Sequence, residues 1–344
     1  MVIEARSPSR IDLAGGTLDL YPLYLFEEGG LTVNAGIDLY SHVRLETRSD
    51  MAIHLEAEDI GASETFKSLE EVPLEGDLAL LGRLVRHYKP HCGINLWTRN
   101  DAPKGSGLGA SSSLVISLTA ALTALNQTRL SKQRAIDIAA NLEAQLIRIP
   151  TGKQDYFAAC YGSVNAIWFN VDHNVLEPLL PSEASIAELE SRLILSFTGI
   201  SHFSGTSNWN MLKYYIENTG DTVQALRRIK GTALGMREAL LEANFDKFAE
   251  QLSIEWDNRR TLAKGVSNER IERIMAAAKD AGALASKICG AGGGGCMISF
   301  VKPGSAEAVK TALTETGAEV LPYKIARKGT QLWVDGVEQV STED

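Results

Sequence analysis

The first half of the chain alternates between strand-like and helix-like hydrophobic patterns. Residues 1–60 are predicted to be rich in β-structure, because apolar and polar positions alternate there at period two. Apolar positions spaced three and four apart predict helices between later strands. The predicted strands are 31–40, 42–47, 93–98, 163–169 and 173–179. The predicted helices are 77–88, 111–126, 131–147 and one that begins near Asp155.

A polar segment of weak periodicity, 177–191, is the predicted domain boundary. The elements predicted after it are a strand at 193–198, long amphipathic helices within 206–254 and over 268–281, a strand at 296–301, a helix at 304–316 and a strand at 319–326. The predicted organisation is an N-terminal domain over 1–185, a C-terminal domain over 190–337 and a tail over 338–344.

Composition and charge are those expected of a soluble, acidic globular enzyme. The net charge of −9 over 344 residues argues against a nucleic acid or an anionic membrane as partner. The longest apolar run, near 114–125, is too short to span a bilayer, and the first residues show no signal-peptide pattern. Four scattered cysteines argue against a disulfide framework or a zinc site. We expect a cytoplasmic protein; a homodimer is compatible with the sequence, which does not reveal the oligomeric state.

The most informative segment is 103–113, where three alternating glycines precede three serines and an apolar helix pattern. Glycines permit positive φ and a close approach of the backbone to a ligand. A helix start offers unpaired N–H groups at the positive end of its dipole. Together these features predict a phosphate site in which one serine hydroxyl could also hold a metal ion. The alternative is a loop whose serines only cap a core helix.

Two familiar phosphate loops are excluded for this segment. A Walker A loop requires Lys and then Ser or Thr after its last glycine, but Ala110 and Ser111 follow Gly109. The only lysine, Lys104, precedes the glycines. A Rossmann loop requires Gly-x-Gly-x-x-Gly, and these glycines occupy every second position. The phosphates would therefore be held by backbone amides and a metal ion, without a loop lysine.

A second constellation follows the first predicted strand, where Arg10, Asp12, Thr17 and Asp19 surround two glycines. Carboxylates on closely approachable backbone suit a site that accepts hydrogen bonds from sugar hydroxyls. The alternative is a Gly-Gly turn with Asp19 in a local cap.

A third constellation pairs Glu143 with Asp155 across a predicted helix end, with Lys153 between them. Two carboxylates near a phosphate loop suit Mg²⁺ binding and the deprotonation of a hydroxyl, and Lys153 could offset charge near Asp155. The alternative is an exposed helix glutamate and a helix-capping aspartate.

Residues 290–295 contain five glycines. They satisfy Gly-x-Gly-x-x-Gly, but a strand follows in place of a helix, which argues against a dinucleotide site. We expect a close backbone approach to a ligand or to another loop. His202, after the predicted strand at 193–198, is a weaker candidate for a cleft residue, with an ordinary surface histidine as the alternative.

The three glycine-containing motifs, in this order, resemble those of the galactokinase, homoserine kinase, mevalonate kinase and phosphomevalonate kinase (GHMP) superfamily. The resemblance spans about residues 5 to 300, and the segments 150–155 and 254–295 look closest to the D-glycero-D-manno-heptose 7-phosphate kinase branch. It implies an α+β fold of two domains, an N-terminal ribosomal-protein-like α/β domain and a ferredoxin-like C-terminal domain, with ATP between them. The implied activity is transfer of phosphate from ATP to a sugar or sugar phosphate, at the anomeric hydroxyl.

The resemblance also implies roles for individual residues. Asp155 would orient or deprotonate the accepting hydroxyl, Arg10 would lie beside it, and Mg²⁺ would be held by Ser111 and Glu143. The residues implied to bind ATP are Pro103, Lys104, Gly105, Ser106, Gly107, Leu108, Gly109, Ala110, Ser111 and Ser112. Those expected to bind the substrate are Gly16, Thr17, Asp19, Lys153, His202, Gly292 and Gly293.

The sugar side departs from the family pattern in two places. Leu18 separates Thr17 from Asp19 where the heptose kinases show three glycines followed by Thr-Asp, and His202 stands where a more basic residue is often seen. Galactose, fucose or a uronic acid therefore remain alternative substrates. A catalytically silent sugar and nucleotide sensor, a decarboxylase of the same superfamily and an oxidoreductase are further alternatives. Candidates for a cationic clamp on a substrate phosphate are Lys153, Arg148, His202 and Arg259.

Overall fold

The computed structural model describes residues 1–180, 182–201 and 204–339. The strands are β1 (Val2–Ala14), β2 (Gly30–Thr47), β3 (Ile53–Ala57), β4 (Ala62–Phe66), β5 (Ile94–Asn100), β6 (Val164–Phe169), β7 (Asn174–Pro178), β8 (Leu193–Phe197), β9 (Ala283–Ile288), β10 (Cys296–Val301), β11 (Glu319–Leu321), β12 (Gln331–Val334) and β13 (Val337–Gln339). The helices are α1 (Leu23–Phe26), α2 (Ala79–Tyr88), α3 (Ala110–Leu125), α4 (Lys132–Ile147), α5 (Gln154–Tyr161), α6 (Glu183–Arg192), α7 (Ser204–Ile216), α8 (Thr222–Leu241), α9 (Phe245–Arg259), α10 (Glu269–Asp280) and α11 (Ala306–Glu315).

The strands form two sheets. The larger has the order β13-β12-β1-β2-β5-β3-β4, and β6 extends it by pairing with β2 and with β7. The length of β2 allows this branching, since its first half pairs with β6 and its second half with β5. The smaller sheet has the order β11-β8-β10-β9, with antiparallel pairing throughout.

Helices α3 and α5 cover the larger sheet over β1 and β2. Helix α8 packs against β1 and β2 of the larger sheet and against α9, and α9 packs against β9 of the smaller sheet. Leu118 and Leu122 of α3 are buried in the same apolar cluster as Leu45 of β2 and Leu96 of β5. A second cluster contains Met236 of α8 and Leu252 of α9 with side chains from both sheets. The end of β1 and the residues after it therefore lie between the two halves of the chain.

The larger sheet contains segments that the pattern did not assign to it. Residues 331–339, predicted to belong to the C-terminal domain and tail, form β12 and β13, and β12 pairs with β1. The prediction of two strands over 31–47 was wrong in detail, since β2 is continuous through Ser41, whose buried hydroxyl donates to Asn100 Oδ1 and the Ala110 carbonyl. The domain limits remain a prediction.

The second half differs from expectation mainly in its breaks. The polar segment 177–191 contains α6, which begins after Ser182, whose hydroxyl accepts a hydrogen bond from the Ser185 amide. The helical region 206–254 divides into α7, α8 and α9. The strand expected over 319–326 is limited to β11, and β9 was not predicted. Among the described residues, no helix is both long and apolar enough to cross a membrane.

Candidate active site

The loop 103–109 adopts a conformation that its glycines make possible. Gly105, Gly107 and Gly109 have φ values of 71°, 71° and 73°, in the region that side chains other than glycine avoid. A Cβ on Gly107 would lie 2.9 Å from the Cys289 carbonyl oxygen. The loop is thus pressed against the start of the second glycine-rich segment.

The loop ends at the start of α3, where backbone amides remain available to a ligand. Gly109 is the N-cap residue and provides no side-chain cap. Within the described residues, the amides of Ala110, Ser111 and Ser112 donate no hydrogen bond. The alternative, in which the serines only cap this helix, was wrong, because Ser113 donates to the Ser7 carbonyl and the hydroxyls of Ser111 and Ser112 donate to Glu143. These amides and the helix dipole form a candidate anion site.

Glu143 of α4 is buried beside the first turn of α3. Its Oε1 accepts from Ser111 Oγ at 2.6 Å, and its Oε2 accepts from Ser112 Oγ at 2.9 Å and from the Tyr156 hydroxyl at 2.5 Å. Burial raises the pKa of Glu143, and the three hydroxyls oppose this shift. The adjacent Ser111 and Glu143 oxygens fit the donor set that Mg²⁺ prefers, which is one or two carboxylates completed by phosphate and water oxygens.

Arg10 connects β1 to both the phosphate loop and α5. Its Nε donates to Asp155 Oδ1 at 2.7 Å, and its Nη1 donates to the Gly107 carbonyl at 2.6 Å. Burial raises the pKa of Asp155, while the Arg10 guanidinium opposes that shift. A Cβ on Gly109 would lie 2.9 Å from Asp155 Oδ2. The carboxylate therefore lies directly beside the start of α3.

Asp19 is buried and binds the beginning of α5 from a distant part of the chain. Its Oδ2 accepts a hydrogen bond from the Gln154 amide at 3.0 Å. It is therefore not a local cap, although Gly15 and Leu18 do form the expected turn through a 3.1 Å backbone hydrogen bond. Burial raises the pKa of Asp19 to about 6; the Gln154 amide opposes this shift, and the Asp155 carboxylate adds to it.

Gly16 and Thr17 lie between these side chains and the second half of the chain. A Cβ on Gly16 would lie 2.7 Å from Asp12 Oδ2 and 2.9 Å from Arg259 Nη2. Thr17 has a φ of 81°, and its hydroxyl contacts Met211 Sδ at 3.4 Å. The predicted sugar motif is thus closely packed on residues of the C-terminal half.

The chain matches the GHMP kinases N terminal domain over residues 78–163 and the GHMP kinases C terminal over residues 236–319. The D-glycero-alpha-D-manno-heptose 7-phosphate kinase of Campylobacter jejuni is 31% identical over 339 residues, covering 96% of this chain and 98% of that protein. The chain belongs to the GHMP kinase family.

Two further similarities place this GHMP kinase among sugar kinases. The crystal structure of a D-glycero-D-manno-heptose 1-phosphate kinase from Bacteroides thetaiotaomicron is 27% identical, with a TM-score of 0.78 over 96% of this chain and 99% of that one. The L-fucokinase/L-fucose-1-P guanylyltransferase of Bacteroides fragilis is 27% identical over 366 residues, covering 96% of this chain but 38% of that protein. The protein is an ATP-dependent sugar kinase with the α+β two-domain fold of its family, which confirms the predicted fold class and the prediction of a sugar kinase, while the substrate and the hydroxyl remain predictions.

The second glycine-rich segment of this GHMP kinase supports the phosphate loop through its backbone. The Cys296 amide donates to the Ser106 carbonyl at 2.6 Å, and a Cβ on Gly295 would lie 2.5 Å from that same carbonyl oxygen. Gly293 donates to the Val266 carbonyl at 2.7 Å, and a Cβ on Gly292 would collide with Val266. The segment makes the close approach to another loop that was expected, and substrate contacts of Gly292 and Gly293 remain a prediction.

A buried ionic network behind Gly16 was not predicted. Lys287 Nζ donates to the Asp12 carbonyl at 2.9 Å and lies 3.2 Å from Asp12 Oδ2 and 3.9 Å from Glu255 Oε1. Burial alone would raise the pKa of Asp12, but Lys287, Arg259 and Arg10 together hold it below its ordinary value. The i,i+4 spacing of Glu255 and Arg259 was the one signal of this network in the sequence.

The candidate cations for a substrate phosphate have separate surroundings where the structure describes them, and their binding of a phosphate stays a prediction. Arg259 is buried, with its Nη2 bonded to Glu255 Oε1 at 2.7 Å and to the Gly16 carbonyl at 2.8 Å, so it positions the sugar motif. Lys153 donates to Asp137 Oδ1 at 2.8 Å, which directs its ammonium to that carboxylate and not to Asp155. Arg148 is exposed at the end of α4. His202 lies outside the described residues.

Proposed function

We propose that this kinase transfers the γ-phosphate of Mg²⁺-bound ATP to the anomeric hydroxyl of a heptose phosphate. The proposal rests chiefly on one observation: Arg10 holds Asp155 beside the uncapped start of α3, so an acceptor carboxylate and an anion site adjoin. The similarity to proteins named heptose 7-phosphate and heptose 1-phosphate kinases supports the choice of a seven-carbon sugar.

On the acceptor side, Asp155 would receive a hydrogen bond from the sugar hydroxyl. The hydroxyl oxygen forms the new bond to the γ-phosphorus, the bond to the β–γ bridging oxygen breaks, and the proton passes to Asp155. Burial supports this role, because a carboxylate of raised pKa accepts a proton more readily. Arg10 would keep the carboxylate aligned, as its two contacts with Oδ1 at 2.7 Å indicate.

On the donor side, the amides at the start of α3 would bind the phosphates of ATP. ADP is the leaving group of the transfer. Residues 103–112 would surround the phosphates, and Lys104 among them is exposed. Ser111 and Glu143 would hold Mg²⁺, which when bound neutralises phosphate charge. Phosphoryl transfer depends mainly on such positioning and electrostatics.

On the sugar side, Asp19 and the backbone at Gly16 and Thr17 would bind hydroxyls. Asp19 is buried and its Oδ2 accepts a hydrogen bond from the Gln154 amide, which leaves carboxylate acceptor capacity for a ligand.

The test is coupled ADP release with Mg²⁺-ATP against D-glycero-D-manno-heptose 7-phosphate, heptose 1-phosphate, mannose, galactose, fucose and glucuronate. We expect turnover with the 7-phosphate, and a product whose new phosphorus signal couples to the anomeric proton. Turnover confined to fucose, galactose or glucuronate would assign a different sugar. ATP binding without turnover on any sugar would contradict the proposal and favour the silent sensor.

A further inference from the structure

The first turn of α5 carries two adjacent side chains that serve different parts of the site. Asp155 faces Arg10 and Gly109, whereas Tyr156 is fully buried and donates its hydroxyl to Glu143 Oε2 at 2.5 Å. Ser112 donates to the same oxygen at 2.9 Å. Glu143 therefore receives donors from both α3 and α5.

These contacts make the two oxygens of Glu143 unequal. Oε2 has two hydroxyl donors and little remaining capacity to accept. Oε1 has one donor, Ser111 Oγ at 2.6 Å, and that hydroxyl can rotate to present a lone pair to a cation. The carboxylate is thereby fixed with Oε1 beside the first turn of α3.

We propose that Tyr156 is a positioning residue that holds Glu143 so that a divalent cation takes Oε1 alone, together with Ser111 Oγ. The inference rests on the proposed function, because it assumes that Ser111 and Glu143 are the metal ligands. Mg²⁺ requires near-ideal octahedral geometry, so the orientation of its single carboxylate is critical. Hydrogen bonds to a ligating carboxylate typically change metal affinity by about 10- to 100-fold.

The experiment is Mn²⁺ binding to the enzyme–ADP complex, measured from the electron paramagnetic resonance signal of free Mn²⁺. We expect Tyr156→Phe to weaken Mn²⁺ binding by about tenfold, with the affinity for metal-free ADP unchanged. Ser112→Ala removes the other donor to Oε2 and should act in the same direction. Tyr88→Phe is the matched control, because it removes a half-buried tyrosine hydroxyl bonded to Thr119, two turns along α3 from Ser112.

Glu143→Gln distinguishes the assignment of the metal site from the positioning role of Tyr156. If Glu143→Gln weakens Mn²⁺ binding while Tyr156→Phe and Ser112→Ala match the wild type, the positioning role of Tyr156 is wrong and the metal site stands. If Glu143→Gln binds Mn²⁺ normally, both the metal assignment and this inference fail, while sugar phosphorylation is still judged by ADP release.

A kinetic measurement distinguishes positioning from general loss of structure. Tyr156→Phe should raise the Mg²⁺ concentration for half-maximal rate, with kcat returning toward the wild-type value at saturating Mg²⁺. An equal fall in kcat at every Mg²⁺ concentration would indicate structural damage and overturn the inference.

Discussion

Arg10 donates from Nε to Asp155 Oδ1 at 2.7 Å, and the same guanidinium donates from Nη1 to the Gly107 carbonyl at 2.6 Å. One side chain of β1 thus fixes the carboxylate on α5 and the phosphate loop before α3. Because three separate parts of the chain meet at this guanidinium, its removal and the removal of the carboxylate should have different consequences.

Asp155→Asn should lower kcat by about 100-fold or more, since general-base assistance contributes about 10² to 10⁴. ATP affinity should change little, because the Gly107 contact of Arg10 remains. Steady-state ADP release and equilibrium nucleotide binding measure the two effects. Asp221→Asn is the matched control, since Asp221 pairs with Arg228 in an exposed position. Undiminished turnover in Asp155→Asn would remove this carboxylate from the mechanism.

Arg10→Lys should impair both turnover and nucleotide binding. Lysine keeps the charge but lacks the planar fork that contacts Asp155 and Gly107 together. We expect kcat to fall and the KM for ATP to rise, each by about tenfold. The rise in the KM for ATP should not occur in Asp155→Asn. The double variant tests the coupling: its loss in kcat should be smaller than the product of the single losses. Strictly multiplicative losses would show that the two residues act independently.

Gly109→Ala should disrupt the site by two separable effects. Its φ of 73° disfavours alanine, and the new Cβ would lie 2.9 Å from Asp155 Oδ2. Gly61→Ala is the control, because Gly61 has a φ of 67° with open space around the added Cβ. Each variant should lose about 1–2 kcal/mol of stability from the backbone alone, but only Gly109→Ala should lose kcat. Comparable kcat in the two variants would show that Asp155 tolerates displacement.

The local features of this site were predictable because they depend on neighbouring residues. The glycine spacing at 105–109 predicted a loop leading into a helix, and both formed. The pairing of Lys287 with Asp12 was not predictable from local pattern, since the two residues are 275 positions apart. The pairing of Lys153 with Asp137 has a similar cause, because it depends on how the start of α5 lies against α4, whereas the pairing of Arg259 with Glu255 is a local i,i+4 contact within α9.

Asp19→Asn should stabilise the protein at neutral pH. The folded-state pKa of about 6 lies above the ordinary value of 3.8, so the native state binds this proton more tightly than the unfolded state. The contribution that protonated Asp19 makes to folding stability is therefore complete below pH 4, and it is lost as pH rises through about 6. The ionised carboxylate costs on the order of 3 kcal/mol, since one pKa unit corresponds to about 1.4 kcal/mol. Urea unfolding at pH 7.5 should show Asp19→Asn to be more stable than wild type, and the gain should vanish at pH 4.

The exposed carboxylate of Asp50 is the control for the urea unfolding measurement, because its pKa is lowered where that of Asp19 is raised. Hydrogen bonds from Arg48 lower the pKa of Asp50 to about 2, so Asp50→Asn should give no gain at pH 7.5. An equal gain from both substitutions would mean that reduced negative charge, and not relief of a buried carboxylate, explains the effect.

The affinity for the sugar should depend on the ionisation of Asp19. Below pH 6 the carboxyl of Asp19 becomes protonated and loses its anionic acceptor character, so we expect the KM for the sugar to rise as pH falls through about 6. A substrate phosphate monoester also titrates near pH 6, and Asp19→Asn separates the two groups. The variant should have a KM for the sugar raised by about tenfold at pH 7.5, and a pH profile of KM that retains only the substrate's own titration.

If the wild type and Asp19→Asn show the same pH dependence of KM between pH 5 and 8, Asp19 does not bind the sugar in its ionised form. In that case its hydrogen bond to the Gln154 amide would be its whole role, as an acceptor at the start of α5.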